Sequence, residues 1–133
     1  MQFDNGDTAV AYCFAEKQGY SKFGSYTGNG NADGPFIYTG FKPAWLLIKR
    51  TSSTGDWLLW DNKRDTFNVT DGVLKPNSNA AENTGYWYID FLSNGFKIRA
   101  TDGEINGNGN SFIFMAFAEH PFVSSKGVPT TAR

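Results

Sequence analysis

The chain has 133 residues, 17% of them aromatic, and its 12 basic and 13 acidic side chains give a formal net charge of −1. A chain of this length builds one hydrophobic core, and a charge near zero gives no general attraction to nucleic acid or anionic lipid. We therefore expect no nucleic-acid binding. No run of about 18 apolar residues occurs, so we expect no membrane insertion either.

Short β-branched and aromatic runs alternate with clusters of Gly, Asn, Asp and Ser, and no helical apolar period persists. The pattern predicts an all-β fold, an antiparallel β-sandwich or jelly roll with about eight short strands. The predicted strands are 8–16, 22–27, 35–39, 44–51, 56–61, 86–92, 96–101 and 111–119. The polar stretch 61–85 predicts a long ordered loop, the kind of segment where binding residues tend to lie.

The first predicted strand contains Cys13, the only cysteine of the chain. A single cysteine excludes a disulfide within the chain, and only His120 could join it as a soft zinc ligand. Since Cys13 lies between Tyr12 and Phe14 in an apolar run, we expect a small, buried and inert side chain.

The segment NGNADG (29–34) imitates the first half of a calcium-binding loop, with side-chain oxygens at alternating positions and a glycine in sixth place. Asn29 stands where such loops begin with aspartate, and Gly40 stands where the bidentate glutamate belongs. We interpret the segment as a glycine-rich turn and expect no metal and no cofactor, with calcium as the alternative.

The stretch AWLLIK (44–49) is apolar on both faces of its strand, and WLLW (57–60) repeats the feature. Such a strand is covered on one side by the second sheet and on the other by a loop or another subunit. Two adjacent strands of this kind favour a homo-oligomer.

The segment WDNKR (60–64) is the first candidate ligand site. Trp60, Asp61, Asn62 and Arg64 stand together where a strand runs into the long loop. An aromatic face can stack on a sugar ring while the polar groups bond its hydroxyls. The alternative is a buried structural network at a sheet edge.

The segment YWY (86–88) is the second candidate. Strand alternation would place Tyr86 and Tyr88 on the exposed face and Trp87 in the core. Exposed tyrosines of this kind favour a lectin-like contact and equally a subunit contact.

The hairpin YIDFLSNGFKIR (88–99) contains Asn94-Gly95, the strongest signal for a two-residue type I′ turn. That turn would set Phe91 opposite Ile98 and Asp90 opposite Arg99, with an ion pair on the wet face. One dry face would then carry four apolar side chains: Ile89, Phe91, Phe96 and Ile98.

Enzyme motifs are lacking in the sequence. It has no nucleophile elbow, phosphate-binding loop, zinc-protease motif or Cys–His pair in a plausible context. Glycoside hydrolysis needs only two carboxylates, which could come from Asp61, Asp65, Glu82, Asp90 or Glu104. No motif selects a pair, so we expect no enzymatic activity and no catalytic residues.

A resemblance rests on several motifs in order: KFGSYTGNG (22–30), GFKPAWLLIK (40–49), Trp57, DNKR (61–64), NAAE (79–82), NGF (94–96) and NGNSFIFMAFAE (108–119). Together they resemble repeat modules of tail-fibre and receptor-binding proteins of tailed bacteriophages, especially marine and environmental phages. The resemblance spans about residues 12–119. It implies a non-enzymatic, lectin-like β-sandwich that multimerises and contacts a host surface or another virion protein.

The two ends of the chain repeat each other, since NGDTAVAYCFAEK (5–17) aligns without a gap with NGNSFIFMAFAEH (108–120). In tandem modules, residues 1–16 would be equivalent to the closing strand of a preceding module, 17–119 the sandwich and 120–133 a C-terminal tail. We expect both repeated strands to lie in the sheets of one module. Alternatively, the N-terminal strand is the retained closing strand of a preceding module, or it docks on a neighbouring chain.

These observations predict a virion protein made in the bacterial host cytoplasm: the C-terminal module of a phage tail fibre that attaches to host-surface glycan or protein. We expect a trimer whose partners are itself, other virion proteins and the host surface. The alternatives are a head-fibre or capsid decoration protein without receptor binding and, more distantly, a polysaccharide depolymerase.

Overall fold

Two antiparallel sheets form the protein, as the alternation of short apolar runs and turn residues predicts. The computed structural model describes residue 6 and residues 8–121, and this part of the chain contains no helix. It therefore includes no helix able to cross a membrane. Its strands are β1 Ser21–Thr27, β2 Phe36–Tyr38, β3 Pro43–Arg50, β4 Trp57–Asp61, β5 Ile89–Leu92, β6 Gly95–Ile98 and β7 Ser111–Ala118.

The strand order is β1-β7-β3-β4 in the four-stranded sheet, called sheet A, and β2-β6-β5 in the three-stranded sheet, called sheet B. Every strand pair is antiparallel. The predicted all-β antiparallel sandwich is thus confirmed, with seven strands in the described residues where about eight were expected.

The core lies between the two sheets. The ring of Phe96 in sheet B meets the ring of Phe114 in sheet A edge-on, at 5.3 Å between centroids. Fully buried side chains from both sheets surround this contact, among them Leu46, Ile48, Leu58, Trp60, Phe112, Ile89 and Ile98. Removal of this apolar surface from water is the main force that holds the sandwich together.

The long connection from β4 to β5 is held to the sheets by isolated bridges. Leu74 pairs with Leu59 of β4, and Thr70 pairs with Ile89 of β5. The loop therefore covers one edge of each sheet, which limits edge-to-edge association there.

The outer face of sheet A is also apolar. In β3, Leu46 and Ile48 are fully buried, whereas Trp45 and Leu47 on the opposite face are half-buried. The prediction of strands with two apolar faces is correct for β3 and β4. Among the described residues the outer face receives only partial cover.

The β5–β6 hairpin differs in register from the prediction. Phe91 lies opposite Phe96 and Asp90 opposite Lys97, so Ser93 and Asn94 form the turn. Neither Asn94 nor Gly95 adopts a positive φ, which excludes the type I′ turn. The predicted dry face survives, because its four apolar side chains are all buried.

Gly95 is required by a close approach of strands. A Cβ atom at Gly95 would lie 2.1 Å from the carbonyl oxygen of Ile37 in β2. The glycine therefore serves strand packing, whereas the sequence pattern suggested turn geometry. The predicted ion pair is present as a diagonal contact, with 3.5 Å between Arg99 Nε and Asp90 Oδ2.

Residues 8–16, which we call the arm, form no strand with the rest of the described chain. The expectation that both repeated strands share the sheets of one module is therefore wrong: β7 lies inside sheet A, and the arm lies outside both sheets. Cys13 is exposed, which contradicts its predicted burial, because no sheet covers the arm. Most of the predicted tail, 122–133, lies outside the described residues.

We predict that Gly95→Ala lowers the free energy of unfolding by about 1–3 kcal/mol, because the added methyl group forces the backbones of β2 and β6 apart. Urea unfolding followed by tryptophan fluorescence measures the change. Gly103→Ala is the matched control, since its Cβ would meet only Arg50 Nη1 at an ordinary 3.5 Å. Equal effects of the two substitutions would contradict the close-approach explanation.

Candidate functional site

The candidate site begins where β4 leaves the core. Trp60 points into the sandwich and is fully buried, and its indole N–H donates a hydrogen bond to the carbonyl oxygen of Trp87 at 3.0 Å. A ligand role for its ring does not fit this position, since no part of it reaches solvent. Trp60 instead fixes the backbone from which the next residues project.

Asp61 and Arg64 lock the turn that follows. Asp61 Oδ1 accepts hydrogen bonds from the backbone N–H groups of Lys63 and Arg64, each at 2.9 Å, and Oδ2 accepts one from Arg64 Nε at 2.6 Å. Arg64 also pairs with Glu82 and donates to the carbonyl oxygen of Leu59. The polar atoms of Asp61 and Arg64 therefore bond within the protein. This arrangement agrees with the alternative interpretation, a structural network at a sheet edge.

The charges in this turn stabilise one another. Burial alone would raise the pKa of Asp61, but hydrogen bonds from the Arg64 backbone and guanidinium hold that pKa below its ordinary value of 3.8. Burial likewise opposes the charge of Arg64, and its bonds to Asp61 and Glu82 nevertheless raise the pKa of the guanidinium. The turn is thus an ion network that is fully charged at neutral pH.

Next to this turn lies a polar cleft of about 340 Å³. We call it the loop cleft. Its lining residues come from the long loop, from β5 and from the segments flanking sheet A: Lys42, Asn62, Lys63, Asp65, Thr66, Phe67, Asn68, Thr70, Phe91 and Glu119. Ligand pockets for small molecules start at about 300 Å³, so the cleft has room for one sugar-sized group.

Asn62 is the one predicted ligand residue that lines the loop cleft. Its Oδ1 atom is buried and has no hydrogen-bond partner among the described residues. A buried amide oxygen without a partner costs about 1–3 kcal/mol. Because the atom is shielded from solvent, its lack of a partner is a cost of the fold and does not mark a hydrogen-bonding position open to a ligand.

An ion pair forms one wall of the cleft. Lys42 Nζ lies 2.7 Å from Glu119 Oε2, and the backbone N–H of Glu119 donates to the carbonyl oxygen of Lys42 at 2.9 Å. The hydrogen bond from Lys42 lowers the pKa of Glu119. This wall therefore presents a fixed pair of opposite charges at neutral pH.

The loop wall is held by its own side chains. Asn68 donates from Nδ2 to the carbonyl oxygen of Phe91 at 2.9 Å, and its Oδ1 accepts the N–H of Phe91 at 3.0 Å. Asp65 Oδ2 accepts the N–H groups of Asp71 and Gly72 at 2.8 and 2.6 Å. Such bonds replace missing backbone pairing, so the loop keeps a defined shape without being a strand.

Phe67 projects from this ordered loop and is 84% exposed. An aromatic ring gains nothing from such exposure in the isolated protomer, because its apolar faces remain in water. At the edge of a polar cleft the ring offers a flat apolar surface to a bound molecule. Phe67 is the sole aromatic residue in the polar stretch 61–85, and this was the sequence signal that could have identified it.

Tyr86 and Tyr88 do not line the loop cleft. Tyr86 is 64% exposed, with its ring 6.0 Å from that of Trp87. Tyr88 is half-buried and donates its hydroxyl to the carbonyl oxygen of Gly85 at 2.9 Å. Trp87 lies in the core as predicted, although the three residues precede β5 and form no strand.

The calcium-like segment 29–34 binds its own backbone. Asn29 Oδ1 accepts the N–H of Asn31, and Asn31 Oδ1 accepts the N–H of Asp33. Asp33 pairs with Lys97 at 2.7 Å, and the fully buried Asn106 ties the loop to the segment before β7 by donating to Asn29 Oδ1. Within residues 8–121, no group of three or more His, Cys, Asp or Glu side chains is placed to hold a metal ion.

We predict that Asp61→Asn lowers the free energy of unfolding by about 1–3 kcal/mol at pH 7, since charged hydrogen bonds to Arg64 are lost. The folded-state pKa of Asp61 lies below 3.8. Its contribution is therefore complete above that value and disappears as the pH falls through the folded-state pKa. Urea unfolding from pH 7 to pH 2 should show the two proteins converging in acid, and a constant difference would contradict the charge-based explanation.

Comparison with known proteins places the chain in a family. No curated protein and no solved structure matches it. One family, described as a domain of unknown function (DUF7483), matches residues 1–121. This match includes both sheets, the arm and every residue of the loop cleft. The chain therefore belongs to the DUF7483 family.

Proposed function

We propose that the protein is a non-enzymatic attachment module of a phage virion, the C-terminal module of a tail fibre, and that the loop cleft binds glycan on the host surface. The observation that carries the proposal is the exposed Phe67 ring, which lines a polar cleft together with Asn62 and Lys63. The virion location rests on the resemblance to tail-fibre modules.

The chemistry of the cleft suits a ligand rich in hydroxyl groups. Asn62 and Lys63 line the cleft and carry groups that can form hydrogen bonds with sugar hydroxyls. One face of a sugar ring is formed by C–H groups, which pack well on an aromatic ring such as Phe67. Few polar contacts and one ring give weak single sites, which a fibre compensates by presenting several copies at once.

Two carboxylates line the cleft, as a depolymerase would require, but both are engaged. Glu119 pairs with Lys42, and Asp65 accepts two backbone N–H groups. A glycosidase needs one carboxyl group whose pKa is raised, so that it carries a proton at neutral pH. The pKa of Glu119 is lowered, which favours binding over hydrolysis.

The expected trimer draws support from the outer face of sheet A. Trp45, Leu47 and Ile113 remain partly or largely exposed there. Exposed apolar faces of this kind mark contacts with other proteins. Self-association would serve a receptor-binding fibre and a head-fibre or capsid decoration protein equally, so this feature does not separate the two functions.

We predict that labelled wild-type protein adsorbs to cells of a susceptible host and that Phe67→Ala weakens adsorption about fivefold, from the loss of about 1 kcal/mol of ring contact. Tyr38→Ala is the matched control, because Tyr38 is also a largely exposed aromatic, at 64%, and does not line the cleft. Tyr86→Ala and Tyr88→Ala test the tyrosine pair separately.

If Tyr86→Ala or Tyr88→Ala weakens adsorption and Phe67→Ala does not, the ligand site lies outside the loop cleft. If the wild-type protein binds no susceptible host, the receptor role is wrong and the decoration role remains. New reducing ends released from host capsule would establish depolymerase activity instead.

A further inference from the structure

The outer face of sheet A is largely apolar, with Lys49 of β3 between Ile113 and Trp57. It alternates with the core residues along each strand and carries Phe23 of β1, Ile113, Met115 and Phe117 of β7, Trp45 and Leu47 of β3, and Trp57 and Leu59 of β4. Ile113 is 41% exposed and Trp57 37% exposed. The surface lies on a different part of the molecule from the core and is not used by the loop cleft.

The arm leaves its large side chains in water. Val10, Tyr12 and Phe14 are 77%, 82% and 58% exposed. Phe14 alone among them has ring contacts, with Phe117 at 5.8 Å and Phe23 at 6.4 Å between centroids. Burial of large apolar side chains is favourable, so the isolated protomer leaves this stabilisation unused.

The arm begins to pair with β1 and then departs from it. Lys17 and Ser21 exchange backbone hydrogen bonds, which start an antiparallel ladder on the free edge of β1. The next N–H on that edge belongs to Phe23 and donates to the Glu16 side chain at 3.5 Å. Within the described residues β1 is an edge strand of sheet A, and no strand pairs with its outer edge beyond this point.

The sequence of the arm is similar to that of β7, the strand that pairs with β1. Aligned with β7, the large residues Val10, Tyr12 and Phe14 fall on Ile113, Met115 and Phe117, all on the outer face of sheet A. β7 pairs antiparallel with β1 along the whole of Ser21–Thr27. The other face of the arm carries only small side chains: Ala9, Ala11, Cys13 and Ala15.

We propose that the arm of one copy adds as a strand to the free edge of β1 in a second copy, where Val10, Tyr12 and Phe14 extend the apolar outer face of sheet A. The small residues would face the side of the core, where sheet B is one strand narrower than sheet A and less volume has to be filled. The inference rests on the oligomeric part of the proposed function and is independent of glycan binding.

Such a contact joins two different surfaces, the arm of one copy and β1 of the next. Contacts of this head-to-tail type close into a ring when the rotation between copies permits it. A ring of three copies fits the expected trimer. Each added strand supplies backbone hydrogen bonds together with apolar contact, which is the physical basis of recognition by strand addition.

Light scattering coupled to size-exclusion chromatography of the full chain tests the proposal. The wild-type protein should elute with a mass above that of one chain, and Tyr12→Lys should elute as a monomer that still unfolds cooperatively, because Tyr12 is exposed in the protomer. Tyr86→Lys is the matched control and should assemble like wild type. A monomeric wild-type protein, or assembly unaffected by Tyr12→Lys, overturns the proposal.

Cys13 supplies a second readout because it is the only cysteine, lies in the arm and is exposed in the protomer. Its alkylation by iodoacetamide should slow about tenfold as the protein concentration rises through the association range. In Tyr12→Lys the rate should be independent of concentration. Protection of Cys13 that persists in monomeric Tyr12→Lys would show that the arm folds back on its own β1, and it would overturn pairing between copies.

Discussion

The hydrogen bond between the Trp60 indole and the carbonyl oxygen of Trp87 is the constraint on which the functional half of the molecule depends. It joins the end of β4 in sheet A to the segment that leads into β5 in sheet B. Trp60 is fully buried, so its position is set by packing on all sides. The turn of Asp61 and Arg64 follows directly, and the loop cleft opens beside that turn. A rigid core residue thus determines where a polar loop can present its side chains.

Side chains alternate between the two faces of sheet A along each strand. Leu46 and Ile48 face the core, while Trp45 and Leu47 of the same strand face outward. The inner face provides stability, and the outer face remains partly exposed. The loop cleft draws on neither set, since Phe91 of β5 is its only wall residue from a strand. The loop cleft and the outer face of sheet A are therefore separate surfaces and can be altered independently.

The sequence predicted the positions of β1, β3, β4 and β7 closely, because a strand with one or two apolar faces has a readable period. It predicted the location of the candidate site only in part. Asn62 lies in the cleft, whereas Asp61 and Arg64 bind each other behind it. Phe67 and the Lys42–Glu119 wall were not predicted, because residues far apart in the chain meet there only after folding. The motif Asn94-Gly95 led to a wrong turn type for a similar reason. Glycine is needed at position 95 because the neighbouring strand β2 lies close to it.

The sequence by itself determined the all-β class, the two-faced strands and the likeness between the arm and β7, because each depends on side-chain alternation along a single segment. Tertiary structure alone decided that β7 enters the sheet while the arm stays outside, that Cys13 is exposed, and that Trp60 is a core residue. Two similar segments can differ in this way because only one place exists between β1 and β3. β7 occupies that place, and its twin is left with the free edge of β1.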